Sequence, residues 1–152
     1  MPVYNSERFL RSALDSLLRQ TYNNFELIVV NDGSKDGSAA IIDEYAARDN
    51  RIKAFHKNNS GVVDTANFAA SHATGEFIMR TDSDDVSFDN KLMDLVNCAL
   101  NNPSAILVTG NIEVVDENEE YLYKHVIPPL NDEIKRAMYI YNPIANGATM
   151  IK

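Results

Sequence analysis

A short apolar run, Phe77-Ile78-Met79, leads into Asp82-Ser83-Asp84-Asp85, and this junction constrains the fold more than any other stretch. The run reads as a short buried strand, and in an open α/β sheet ligands bind in the crevice beyond the carboxyl ends of the strands. Three carboxylates gathered there repel one another unless a positive charge sits between them. A hard divalent cation, Mg²⁺ or Mn²⁺, suits the position, because such ions take oxygen from one or two carboxylates and from substrate phosphates. The EF-hand reading fails: with Asp82 in first place, Ser87 stands where glycine is needed and Met93 where glutamate is needed. Acids that cap a following helix explain one carboxylate, not three.

The chain around this junction alternates between strand and helix patterns. Asn5 or Ser6 can cap a helix in which Phe9, Leu10, Ala13, Leu14, Leu17 and Leu18 recur at helical spacing to about Gln20. Phe25 to Val30, broken only by Glu26, reads as a strand covered on both faces. Ile41, Ile42 and Tyr45 then mark a helix, Ile52 to Phe55 a weaker strand, and Val62 to Ala73 a helix ended by Gly75. Leu92, Leu95, Val96, Ala99 and Leu100 predict another helix, stopped near Pro103, followed by a strand over Ala105 to Val108. Ile112 to Val115 and Tyr121 to Tyr123 suggest a hairpin, Asp132 to Tyr139 a short helix, and Ala148 to Ile151 a last strand. The expected architecture is a single α/β domain over residues 1–152, with a mainly parallel sheet and helices on both faces.

Charge narrows the partners. A formal net charge of −8 argues against nucleic acid, which normally meets a basic face, yet leaves room for a small phosphorylated ligand escorted by a cation. No apolar run approaches the length of a membrane span and no signal peptide opens the chain, so the expected address is the cytoplasm, with peripheral attachment at the inner face of a membrane left open. Cys98, the sole cysteine, has no partner for a disulfide and is expected as a buried, inert thiol on a helical stripe. Gly33 and Gly37 complete neither a dinucleotide fingerprint nor a Walker loop and read as turn residues. Asp32, past the strand ending at Val30, is either a turn residue or an acceptor for N–H groups of a base or sugar. Tyr4 is either core or a ring that stacks on a flat base.

Taken together, these segments resemble a known family. Pro2-Val3-Tyr4-Asn5, Leu17 to Tyr22, Val29 to Ser38, Asn59-Ser60-Gly61, Thr74 to Ile78 and Asp82-Ser83-Asp84-Asp85 follow the order and spacing of family 2 glycosyltransferases with the Rossmann-like GT-A fold, to about Pro143. The resemblance implies transfer of a sugar from a nucleoside diphosphate donor, UDP most commonly, with inversion and a bound Mg²⁺ or Mn²⁺. It places the base-binding segment on Pro2, Val3 and Tyr4, the nucleobase-contacting acid on Asp32 and the loop near the nucleotide on Asn59 and Gly61. Ribose contact and metal ligation fall on Asp82, Ser83 and Asp84, with Asp85 beside them as a third candidate ligand. The implied acceptor is a carbohydrate or lipid-linked molecule.

Three departures from the family pattern bear on function. Thr65-Ala66-Asn67 stands where many relatives have Ala-Arg-Asn, which leaves the basic diphosphate contact unassigned. The apolar strand that precedes Pro-Val-Tyr in the family has no counterpart before Met1. The resemblance puts it in mid-sheet, so the strands at Phe25 to Val30 and Phe77 to Met79 are expected to lack a backbone partner. The family's general base lies downstream of Lys152, and Asp116, Glu117, Glu119 and Glu120 read as a solvated turn, while His56, His72 and His125 have no partner visible in the sequence. No catalytic base is assigned, and the expectation is a donor-binding part of a larger transferase, lacking the first strand and the acceptor segment.

Two rival readings stand beside this one. Asp82-x-Asp84-x-Val86 after an apolar strand, with Thr109 after a second, is close to the nucleophile motif of haloacid-dehalogenase-type phosphohydrolases. The other is a non-catalytic module that only binds a nucleotide sugar.

Overall fold

Three parallel strands, β1 (Pro2–Val3), β2 (Leu27–Asp32) and β3 (Ile52–Lys57), stand in the order β1-β2-β3 in the computed structural model, which describes residues 1–118 and 120–152. Successive residues of a strand point to opposite faces, and β2 is apolar on both. Leu27 and Val29 join a cluster with α1 (Glu7–Leu18) and α2 (Ser38–Arg48), whereas Ile28 and Val30 join another with α3 (Val62–Ser71). Helices therefore cover both faces of this half, as the apolar run predicts.

The other half is antiparallel. β4 (Ile78–Met79) and β5 (Leu107–Thr109) are followed by the hairpin of β6 (Ile112–Val115) and β7 (Tyr121–His125), then by α5 (Asn131–Ala137) and a last strand, β8 (Thr149–Ile151), inserted between β4 and β5 and antiparallel to both. The mainly parallel sheet of the sequence reading thus holds only up to β3, because the chain turns back through the 3₁₀ turn Asn146–Ala148 before pairing. α4 (Lys91–Asn101) covers this half through Leu95 and Ala99, which pack with Val108 and Met150. Met79 touches both main clusters and links the halves. α5 (Asn131–Ala137) buries none of its residues.

Several expected boundaries move for identifiable reasons. β2 starts two residues late, because Phe25 stays outside under the Arg51 guanidinium, 4.7 Å from the ring centre. It ends late because the polar Asn31 and Asp32 pair in register with His56 and Lys57, which also carries β3 past Phe55. β4 is half-buried rather than buried. On α4 the buried stripe is Leu92, Leu95 and Ala99, so Leu100 is 61% exposed and Cys98, about 100° round the helix from Ala99, is exposed rather than buried. The edge of β2 that was expected to be bare has partners: Pro2 lies opposite Val30, Val3 opposite Asn31, and the Val30 N–H donates to the Met1 carbonyl at 2.9 Å. Among the described residues no pairing joins β1 to β4.

Glu26, the one charge in the apolar run, is tied at the surface. The Lys53 ammonium and the N–H and hydroxyl of Thr74 hold its carboxyl at about 2, against a small opposing effect of burial. A carboxyl held below its unfolded value stabilises the fold fully above that value, about 4.3, and the contribution fades as pH falls towards 2. Thermal melts of the Glu26→Gln protein are therefore expected to fall below wild type at pH 6 and to converge with it towards pH 2.

Candidate functional site

Two loops are sewn together at the carboxyl ends of β1 and β2. The Asn5 N–H donates to Ser34 Oγ at 3.0 Å and the Lys35 N–H to Asn5 Oδ1 at 2.8 Å. The Glu7 N–H reaches Asp36 Oδ2 at 3.0 Å, and the Gly37 N–H reaches Glu7 Oε2 at 2.8 Å. The Asn-Asp-Gly-Ser-Lys-Asp-Gly-Ser stretch is thus a seam, and its glycines make turns. At Gly33, φ is +72° and an added Cβ would lie 2.8 Å from the Asn59 nitrogen, so only glycine lets this loop approach the one that follows β3. Ser6 makes no side-chain cap. Its hydroxyl lies 2.7 Å from that of Ser83, tying the start of α1 to the acidic segment.

Asp32 is buried at the end of β2 and organises the next loop. Its Oδ1 accepts from the Lys57 ammonium and from the Ser60 N–H at 2.9 Å, its Oδ2 from the Gly61 N–H at 3.0 Å, and its carbonyl from Asn59 Nδ2 at 2.9 Å. Burial pushes the carboxyl up, but Lys57, the Ser60 N–H, the Thr65 hydroxyl and the Gly61 N–H outweigh it and hold the group below the usual carboxylate range. Gly61, at φ +91°, leads into α3. Lys57, which the sequence reading passed over, is the partner that holds the Asp32 carboxylate from the neighbouring strand. Its one sequence signal is register, since it stands directly opposite Asp32.

These elements border one cavity of about 610 Å³, lined by Pro2, Val3, Tyr4, Ser6, Asp32, Asn59, Gly61, Val62, Thr65, Arg80, Asp82, Ser83 and Asp84. Four distant stretches of sequence meet there. Tyr4 is 50% exposed at its edge, so it is not core. Arg80, which the sequence reading passed over, points its Nη2 at Asp82 Oδ1, 3.2 Å away. Thr109 does not line the cavity. Its hydroxyl accepts from that of Thr149 at 3.1 Å across the β5–β8 pair and is not among the groups at the cavity, where a phosphohydrolase would need it beside Asp82.

The three acids part company. Asp82 and Asp84 line the cavity, but Asp85 does not: an added Cβ on Gly147 would sit 2.1 Å from its Oδ2, so its carboxylate lies against the turn before β8. Partial burial, then repulsion from Asp82 and Asp84, push the Asp85 carboxyl up. Among the described residues no three His, Cys, Asp or Glu side chains converge as a metal cage, and of the expected trio only Asp82 and Asp84 line the cavity. A pair suits Mg²⁺ or Mn²⁺ that completes its shell with phosphate oxygens and water.

Among the described residues no histidine and none of the hairpin acids lines the cavity. His56 is engaged by Asp43 at 2.9 Å and by Asn31 at 3.2 Å, His72 by the Phe68 carbonyl at 2.8 Å, and His125 by the Pro143 carbonyl at 3.2 Å. Asp116 accepts the N–H groups of Asn118 and Glu120 and so shapes the hairpin turn. Glu119 lies outside the described residues.

Fold and cavity define a GT-A-type α/β domain. The model of the family described as Glycosyl transferase family 2 matches residues 1–150, and the chain belongs to that family. Glycosyltransferase GlyG of Streptococcus pneumoniae is 35% identical over 127 residues, which cover 83% of this chain and 42% of GlyG. The structure of S. aureus TarS 1–349 in complex with UDP-GlcNAc superposes with a TM-score of 0.71 at 29% identity, covering 76% of this chain and 34% of that one. Mannosyltransferase PcManGT from Pyrobaculum calidifontis, solved with GDP-Man and Mn2+, shares the fold with a TM-score of 0.66 at 24% identity, covering 78% of this chain and 35% of that one. The chain spans less than half the length of each of these relatives. Among the described residues no helix is long and apolar enough to cross a membrane.

Proposed function

We propose that the chain forms the donor site of a glycosyltransferase that takes a sugar from a nucleoside diphosphate and passes it, with inversion, to a carbohydrate or lipid-linked acceptor. The observation that carries this reading is the meeting of Pro2–Tyr4, Asp32, Asn59–Gly61 and Asp82–Asp84 around one cavity of about 610 Å³, within the usual range for a small-ligand site. Likeness to TarS, solved with UDP-GlcNAc, favours a uridine donor.

Each residue has a task its setting permits. The half-exposed Tyr4 ring is placed to stack on the base. Asp32 accepts a base N–H with its remaining lone-pair capacity while it holds the Asn59–Gly61 loop in place. Asp82 and Ser83 face the ribose, and Asp82 and Asp84 would hold Mg²⁺ or Mn²⁺ against the diphosphate. The cation, when bound, supplies Lewis-acid neutralisation of the departing diphosphate. Asp82 and Asp84 follow β4 in the chain and line the cavity wall. Among the described residues no carboxylate or imidazole remains at the cavity for deprotonating an acceptor, so the chain is assigned donor binding and not that step.

Calorimetric titration with UDP, GDP and dTDP, each with Mn²⁺ and with EDTA, tests the reading. Micromolar binding of one diphosphate that weakens about tenfold or more in EDTA is expected. Failure to bind any of them would sink it.

A further inference from the structure

We infer that Arg80 is the residue of this chain that contacts the donor's diphosphate. The inference rests on the donor reading above and adds a residue to which neither the sequence motifs nor the family match gives a role. Its first ground is charge. Arg80 is the only basic residue lining the cavity among the described residues, against Asp32, Asp82 and Asp84. Asp32 is already matched by the Lys57 ammonium. A divalent cation would be cancelled by Asp82 and Asp84 alone, leaving nothing to offset a diphosphate. With Arg80 present the loaded site keeps one positive charge for the phosphates.

The second ground is how little holds the guanidinium where it is. Two arginines of this chain show what full occupation looks like: Arg51 bonds Asp49 through Nε and Nη2 and the Leu18 carbonyl through Nη2, and Arg11 grips Glu44 with both terminal nitrogens. Among the described residues Arg80 makes a single side-chain hydrogen bond, to Asp82, and its buried Nε has no partner. A guanidinium has five N–H donors in a fork that matches phosphate oxygens in pairs. The side chain is 41% exposed, so the fork has room to turn into the cavity. An arginine that served only to neutralise Asp82 would leave most of that capacity idle.

The test compares UDP with uridine, in Mn²⁺, for the full chain and for its Arg80→Met and Arg80→Lys forms (GDP with guanosine if the titrations above favour guanine). Arg80→Met is expected to weaken UDP about tenfold to a hundredfold, the loss of charge-assisted bonds, and to leave uridine within about twofold, which also shows that the site is folded. Arg80→Lys, which keeps the charge and loses the fork, is expected to fall between. Equal loss of UDP and uridine, or loss of neither, overturns the inference while wild-type binding stands. A wild-type chain that binds no nucleoside diphosphate overturns the donor reading, and this inference with it.

Discussion

The Asp32→Asn protein is expected to be less stable than wild type by about 3–5 kcal/mol in urea unfolding, and to lose measurable nucleotide binding. The carboxylate is buried, with its Lys57 partner mostly buried beside it. Taking away one partner strands the ammonium in a place water reaches poorly, and that stranded charge dominates the loss. An amide also turns N–H groups towards the Ser60 or Gly61 N–H donors, so at least one bond to the loop becomes a repulsion. The double change Asp32→Asn with Lys57→Met removes the stranded charge and is expected to recover most of the stability but not the affinity. Recovery of affinity as well would show that Asp32 serves the loop alone and never meets the base. The pH dependence has a definite sign. The carboxyl is held below its ordinary range, so its stabilisation is complete above the unfolded value of about 3.9 and is lost only as pH falls through the lower folded one. The gap between wild type and Asp32→Asn should therefore persist down to pH 4 and close below it.

How much of this was legible in the sequence differs from residue to residue. The two-sided burial of β2 could be read directly, because the unbroken apolar stretch from Leu27 to Val30 offers no polar face and so must be covered on both sides in an α/β layer. Much of the cavity lining, from Pro2 to Tyr4 and at Asp32, Asn59, Gly61 and Asp82 to Asp84, could be read through linked motifs, though no single one of them compels it. Lys57 and Arg80 could not. Lys57 matters only because register places it opposite Asp32, and a polar pair at the end of two strands looks like the end of both. Arg80 and Asp82 share a side of an extended segment, two residues apart, and this becomes a contact only when the crevice is in place. Asp85 turns away from the cavity for a related reason. Its carboxylate meets Gly147, a residue brought there by the return of β8 between β4 and β5, which no local pattern foretells. Cys98 shows the limit of helical periodicity: one step off the stripe is enough to put a small apolar side chain in water.

The Asp84→Ala protein is expected to keep its fold and lose the metal dependence of donor binding. Among the described residues Asp84 is exposed and makes no side-chain hydrogen bond or ion pair, so its truncation should shift stability by no more than about 0.5 kcal/mol. What it does have is a place on the cavity wall beside Asp82. A hard cation bound by one or two carboxylates and a diphosphate loses a large share of its protein anchorage when one of the two goes. UDP affinity in Mn²⁺ should then fall about tenfold to a hundredfold, to the level that wild type shows in EDTA, with uridine affinity unchanged. Asp85→Ala is the matched control. Its carboxylate faces Gly147 rather than the cavity, so the Mn²⁺ dependence should survive that change. The reverse pattern, with Asp85→Ala losing the dependence and Asp84→Ala keeping it, would mean that the cation sits on the β8 side of the acidic turn, and Arg80 would then have to be assigned to the Asp82 carboxylate alone.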